Sequence, residues 1–253
     1  KITTLAAVPP LWVQLVEFEW PDDAVTSMRR LTNSGGALTP SLVKQLRGIF
    51  GIGTDIYAMY GLTEAFRSTY LDPALIDDNP TSMGTAIPFA EILVVDESGA
   101  VAGPNQTGEL VHCGPLVAQG YWKDAERTAE RFKDAPEAAN YRGTAVFSGD
   151  TVKRGDDGLL YFVSRDDAMI KSSGNRISPT EIEEIAAESG LIAEAVALGV
   201  PDEPAVITGQ LEKYLKQNLP NFMHPRDIVP LSEFPKNPNG KLDRNALASM
   251  DIE

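Results

Sequence analysis

One cysteine, Cys113, and two histidines, His112 and His224, are all that 253 residues supply of the side chains that cross-link, cycle electrons or hold zinc. A lone cysteine forbids an internal disulfide and fits a reducing compartment. Together the three make no metal-ligand spacing, and in Glu109-Leu110-Val111-His112-Cys113 the thiol reads as a small strand residue. No Gly-x-Ser-x-Gly elbow is present, so a serine hydrolase of that build is excluded. No apolar run approaches a membrane span. The first residues lack the charged-then-apolar layout of a signal peptide. Basic residues are outnumbered, 22 to 36, for a formal net charge of −14. That field repels a nucleic-acid backbone and argues against DNA or RNA as a partner. A phosphate-bearing small molecule stays open, because local donors and a metal override the global sign. The opening Lys1-Ile2-Thr3, without methionine, is expected to be the start of a piece of a longer chain.

What is present is ordinary globular material, 43% hydrophobic and 23% charged, long enough for one large or two smaller domains. Up to about residue 80 helix and strand signals alternate. Pro9-Pro10 opens a helix through Leu11, Leu15 and Phe18, and Met28–Leu31 runs as a strand into Asn33-Ser34-Gly35-Gly36. Pro40–Phe50 is amphipathic, and Asp55–Met59 is a short strand. This order predicts parallel α/β layering with ligand groups at the strand C-termini. From residue 81 short strands (Ile92–Val95, Gly108–Val111, Asp150–Lys153, Leu159–Val163) alternate with turns, and Gly155-Asp156-Asp157-Gly158 signals a hairpin. A mostly antiparallel β subdomain is expected there. After residue 167 comes a small α+β unit. Ser178-Pro179-Thr180-Glu181 caps a helix over Ile182–Glu188, Ala193–Val200 and Asp227–Leu231 read as strands, Leu211–Leu219 as a helix, and Asp243 as the N-cap of a last helix. The short link from Val200 to Gln210 suggests that residues are absent there.

Four segments carry chemistry, and each has a bland alternative. Ser34-Gly35-Gly36-Ala37 at a strand end lets a flat ligand approach the backbone, or is a plain turn. In Tyr60-Gly61-Leu62-Thr63-Glu64-Ala65, expected just past a strand end, Tyr60 offers a stacking face, Thr63 a hydroxyl for phosphate and Glu64 a hard oxygen for Mg²⁺. Equally, Tyr60 is core and Glu64 a first-turn helix acid. Asp150, after Ser148-Gly149, can accept both hydroxyls of a ribose, with Arg165 brought near it by the hairpin; otherwise the two are a surface ion pair. Pro235–Arg244 is a stiff turn presenting Lys241 to negative charge developing on phosphate or carboxylate oxygen, or a solvated loop.

In this order the segments resemble the adenylate-forming superfamily, which includes acyl-CoA synthetases, luciferases and peptide-synthetase adenylation domains. Ser34–Ala37 matches its adenine-side turn, Tyr60–Glu64 its Tyr-Gly-x-Thr-Glu motif, and Ser148–Asp150 its ribose-binding aspartate. Arg165–Glu183 resembles its hinge and following loop, and Pro235–Arg244 its terminal lysine motif. The wording of Tyr60–Tyr70 and Met169–Glu183 is also similar to bacterial acyl-CoA ligases associated with exosortase systems.

The resemblance implies a large domain over residues 1–166, its α/β layer at 1–80 and β subdomain at 81–166. A small mobile domain at 167–253 would turn about Asp167. It implies activation of a carboxylic acid by ATP and Mg²⁺ to an acyl-adenylate, then thioester formation with coenzyme A, with an acyl carrier protein as the alternative acceptor. Lys241, Thr63 and Glu64 would serve catalysis. Ser34, Gly35, Gly36, Ala37, Tyr60, Gly61, Asp150 and Arg165 would bind nucleotide, and Gly174 would line the thiol tunnel. Use of ATP and CoA, with no targeting signal, implies a cytoplasmic location. The family's triphosphate loop is absent, so this stretch is expected to be inactive alone. Where peptide-synthetase domains place an aspartate, the stretch Ala7–Trp12 is apolar, which favours a fatty or other non-amino acid, with Trp12 either bounding an acyl pocket or buried as core. A non-catalytic nucleotide-binding module is the reading from another class.

Overall fold

A computed structural model describes residues 1–165, 170–172, 175–189, 191–192, 195–199, 210–225, 227–231, 234–236 and 242–250. The chain divides into two compact units, Lys1–Arg165 and Asp166–Glu253.

The first unit opens with parallel strands β1 (Thr4–Ala7), β2 (Arg30–Asn33) and β3 (Asp55–Leu62), linked by helices α1 (Pro9–Val16), α2 (Asp22–Ser27) and α3 (Pro40–Phe50). Helix α3 shows why the sequence folds this way. Thr39 caps it by accepting the Leu42 N–H at 3.2 Å, Pro40 presets the first turn, and Leu42, Val43, Leu46 and Phe50 form one buried stripe. That stripe meets Trp12, Leu31 and Ile56 in the main core. Trp12 is wholly buried, so it is core and does not wall a pocket.

Seven further strands follow: β4 (Ala65–Tyr70), β5 (Ser82–Ala86), β6 (Glu91–Val95), β7 (Thr107–Cys113), β8 (Phe132–Asp134), β9 (Thr144–Arg154) and β10 (Leu160–Arg165). Helix α4 (Ala125–Arg131) lies between β7 and β8, capped by Asp124. All ten strands form one sheet in the order β1-β2-β3-β4-β5-β10-β9-β7-β6, with β8 on β9. The α/β layer and the antiparallel region thus share a continuous sheet. The joint is β3, whose first half pairs parallel with β2 and whose second half pairs antiparallel with β4. The strand therefore does not end at Met59. It runs through Tyr60, Gly61 and Leu62, because β4 returns beside it and satisfies its backbone groups. Gly61 is required at the bulge in this pairing, since a Cβ there would lie 2.2 Å from the Arg67 nitrogen.

In the second unit, hairpin β11 (Ile170–Ser172) and β12 (Asn175–Ile177) precedes helices α5 (Pro179–Glu188), α6 (Gln210–Asn218) and α7 (Arg244–Ala248). Ile177, Ile182, Ala186, Leu215, Leu219 and Met223 make its core. The expected strands over 193–200 and 227–231 are absent among the described residues. For the first, the reason is visible at Ala197: its N–H donates to Glu183 Oε1 at 2.9 Å and its C=O accepts Arg244 Nη1 at 3.0 Å. An ion pair, Arg244–Glu183 at 2.7 Å, takes the place of a strand ladder. Asp243 caps α7 as expected, accepting the Ala246 N–H at 2.9 Å. The link over 200–209 lies outside the described residues, as does the turn over 237–241. Among the described residues no helix is long and apolar enough to cross a membrane.

Candidate functional site

Antiparallel pairing of β9 with β10 puts Asp150 directly opposite Arg165. The carboxylate is buried and lies 3.6 Å from Arg165 Nε, whose side chain is about half exposed. The strand before Asp150 is pinned to β7. Ser148 Oγ donates to the Leu110 carbonyl at 2.7 Å and accepts the Asp150 N–H at 3.0 Å, and the Gly149 N–H donates to Glu109 Oε1 at 2.8 Å. Gly149 has φ +70°, and a Cβ there would fall 2.1 Å from Arg131 Nη1, so only glycine lets that guanidinium lie against the strand.

Tyr60 reaches this carboxylate from β3 and donates its hydroxyl to Asp150 Oδ2. Strands β3 and β9 are four places apart in the sheet. On a flat sheet that is about 19 Å, so strong curling closes the gap. Burial first, and then the Asp150 charge, hold the Tyr60 phenol protonated well above its ordinary range. Its ring stacks on His112 of β7 at 5.9 Å and 12°. His112 is fully buried, and neither ring nitrogen has a protein partner. Burial pushes its pKa down to about 3, so the ring is neutral.

Thr63 and Glu64 occupy the turn between β3 and β4, not a helix. Thr63 is exposed; Glu64 is half-buried and accepts a hydrogen bond from the Tyr121 hydroxyl. At the end of β2, buried Asn33 donates from Nδ2 to the Gly36 carbonyl at 2.8 Å. This draws Ser34–Ala37 into a tight turn in which Gly35 takes φ +81°. Asn33 pairs with Ala58, which sets the turn two residues ahead of Tyr60 along β3. Gly35, Gly36 and Ala37 are exposed, Ser34 half-buried.

The family model described as AMP-binding enzyme matches residues 1–122, and that for the AMP-binding enzyme C-terminal domain matches 181–241. The chain belongs to the adenylate-forming, AMP-binding superfamily. Its relatives include the dimodular nonribosomal peptide synthase of Bacillus subtilis, 31% identical over 99% of this chain and 11% of that protein. The human mitochondrial acyl-coenzyme A synthetase ACSM5 is 27% identical over 99% of this chain and 45% of that protein. Among solved structures, o-succinylbenzoate coenzyme A synthetase (MenE) of Bacillus subtilis, in complex with ATP and magnesium ion, superposes with a TM-score of 0.81 at 26% identity. That match covers 97% of this chain and 51% of the MenE chain. The chain thus spans about half the length of that structure and less of these curated relatives.

In this adenylate-forming chain the structure brings Tyr60, Asp150 and Arg165 into contact. It places Gly61 next to Tyr60 in β3, and Thr63 and Glu64 on the adjoining turn. Asp167, Gly174 and Lys241 lie outside the described residues. Among the described residues no cluster of three or more His, Cys, Asp or Glu could hold a metal. A lone carboxylate such as Glu64 still suits Mg²⁺ carried by nucleotide phosphates, since that ion is commonly held by one or two carboxylates plus phosphate and water. Two contributors had no legible signal. Tyr121 stands just ahead of α4 in a segment without periodicity, and His112 read only as a strand residue.

Proposed function

We propose that the protein containing this chain activates a carboxylic acid with ATP. An acid oxygen attacks the α-phosphorus, the acyl-adenylate forms and pyrophosphate leaves; the thiol of coenzyme A then takes the acyl group as AMP departs. The observation that supports this best is the convergence on Asp150. A buried carboxylate flanked by a tyrosine and an arginine suits the paired hydroxyls of a ribose. The glycine turn and the Tyr60 ring offer flat surfaces for adenine, and Thr63 a hydroxyl for phosphate. Glu64 would hold Mg²⁺, which when bound neutralises charge on the phosphates. Lys241 would stabilise charge developing on the reacting oxygens. Asp167 would be the hinge of a mobile domain over 167–253, and Gly174 would line the thiol's approach. MenE, solved with ATP and magnesium, supports the same cofactors here.

Relatives fall among both peptide synthetases and acyl-CoA synthetases. The apolar Ala7–Trp12 stretch favours a fatty or other non-amino acid, in keeping with the exosortase-associated ligases. The test is a panel of carboxylic acids with the full-length protein, reading pyrophosphate release with and without CoA, beside Asp150→Ala. Acid-dependent release, a CoA thioester, and AMP affinity lowered at least about tenfold in the variant, as expected for loss of charge-assisted bonds, are the expected results. Transfer to a carrier protein instead of CoA would move the acceptor. AMP binding without pyrophosphate release for any acid would leave a non-catalytic nucleotide-binding module.

A further inference from the structure

Glu64 stands on a turn that is otherwise open, yet one segment is fastened to it three times. Val117 bridges Ala65, the Ala118 N–H donates to the Glu64 carbonyl at 2.8 Å, and the Tyr121 hydroxyl donates to Glu64 Oε1. Tyr121 is in turn held by three contacts from residues 127–132. Its N–H donates to Thr128 Oγ1 at 2.9 Å, the Phe132 ring meets it edge-on at 5.5 Å, and the Arg127 guanidinium lies 5.2 Å from its ring centre. Gly120 just before it takes φ +134°, and a Cβ there would lie 2.5 Å from Thr128 Cγ2. Close approach of the segment to α4 therefore needs glycine at this point. The ring alone fills the apolar space among Leu62, Ala65, Val117 and Phe132. Phenylalanine would serve that packing equally well; the hydroxyl adds only an aimed donor to one carboxylate oxygen.

We propose that Tyr121 is a positioning residue for Glu64: its phenol ties down one carboxylate oxygen so that the other is presented, already oriented, to the divalent cation carried by the nucleotide. The inference rests on the reading of Glu64 as the cation's protein contact. A carboxylate held in place loses less rotational freedom on binding, which is worth about three- to tenfold in affinity for one side chain.

The experiment uses the full-length protein and its Tyr121→Phe and Glu64→Gln variants. Mn²⁺ affinity in the presence of ATP is read by electron paramagnetic resonance, and AMP affinity without metal by calorimetry. Tyr121→Phe is expected to weaken Mn²⁺ binding about three- to tenfold, with AMP affinity and melting temperature unchanged. Glu64→Gln is expected to weaken Mn²⁺ binding further. Wild-type Mn²⁺ affinity in Tyr121→Phe, with a loss in Glu64→Gln, would overturn the positioning role and leave the Glu64 reading standing. Unchanged Mn²⁺ affinity in Glu64→Gln would overturn that reading and the inference with it. A parallel loss of AMP affinity and melting temperature in Tyr121→Phe would show a packing role and also overturn it.

Discussion

Replacing His112 by leucine should remove a pH dependence that this single side chain imposes on the first unit. The imidazole is fully buried without a protein hydrogen bond, and its pKa falls from 6.5 to about 3 on folding. Above pH 6.5 the ring is neutral in both states and costs nothing electrostatically. Below it the unfolded chain takes up a proton that the native ring refuses, so stability falls with pH until the folded pKa is reached. Each pH unit in that window is worth about 1.4 kcal/mol. Between pH 6.5, where the unfolded ring is half protonated, and pH 4.5 the integrated loss is about 2.3 kcal/mol. Leucine, which does not titrate, imposes no such dependence. At pH 7 it should also be no less stable, because an unsatisfied buried polar ring carries a penalty of about 1–3 kcal/mol, offset in part by the lost stack on Tyr60. The assay is urea unfolding from pH 7 to 4.5, followed by tryptophan fluorescence. Within these 253 residues the three tryptophans, Trp12, Trp20 and Trp122, lie in the first unit. The stability difference between variant and wild type should move about 2–3 kcal/mol toward leucine across this range. Parallel loss of stability in the two proteins would refute the reasoning, since groups common to both cancel in the difference.

Two further outcomes follow from the backbone of the same unit. Gly84 has φ +75°, and a Cβ there would lie 1.9 Å from the Tyr70 carbonyl oxygen, so Gly84→Ala should destabilise by more than about 2 kcal/mol, seen as a lower urea midpoint. Asn33→Ala removes the bond to the Gly36 carbonyl from a buried position and should cost about 1–2 kcal/mol, with AMP affinity of the full-length protein falling several-fold by calorimetry as the turn loosens.

Elements with a strong local period were legible in the sequence. Helix α3 carries its cap, its proline and its apolar stripe in one short stretch, and its observed bounds are Pro40–Phe50. Strand β4 was not legible. Ala-Phe-Arg-Ser-Thr-Tyr shows no alternation, because Ser68 and Thr69 are both buried, and Thr69 Oγ1 donates to the Met83 carbonyl at 2.8 Å. Helix α4 has no buried residue and so no apolar stripe to read. In the second unit, Ala193–Val200 has the composition of a strand, but at Ala197 side chains from Glu183 and Arg244 satisfy the backbone instead.

By itself the sequence determined which chemistry is available: a glycine turn, an aromatic–hydroxyl–carboxylate hexapeptide, an aspartate after Ser-Gly, an arginine one hairpin later, and their order along the chain. Only the tertiary structure decided their partners. Tyr60 meets Asp150 across 90 residues, and Tyr121 meets Glu64 across 57. The first depends on the curl of a ten-stranded sheet, the second on the segment that Val117, Ala118 and Gly120 hold against the turn. Curl is a sum of small twists and bulges over many strands. No local spacing encodes it, so a tyrosine readable as a stacking face is also, in the folded chain, the donor to a buried carboxylate.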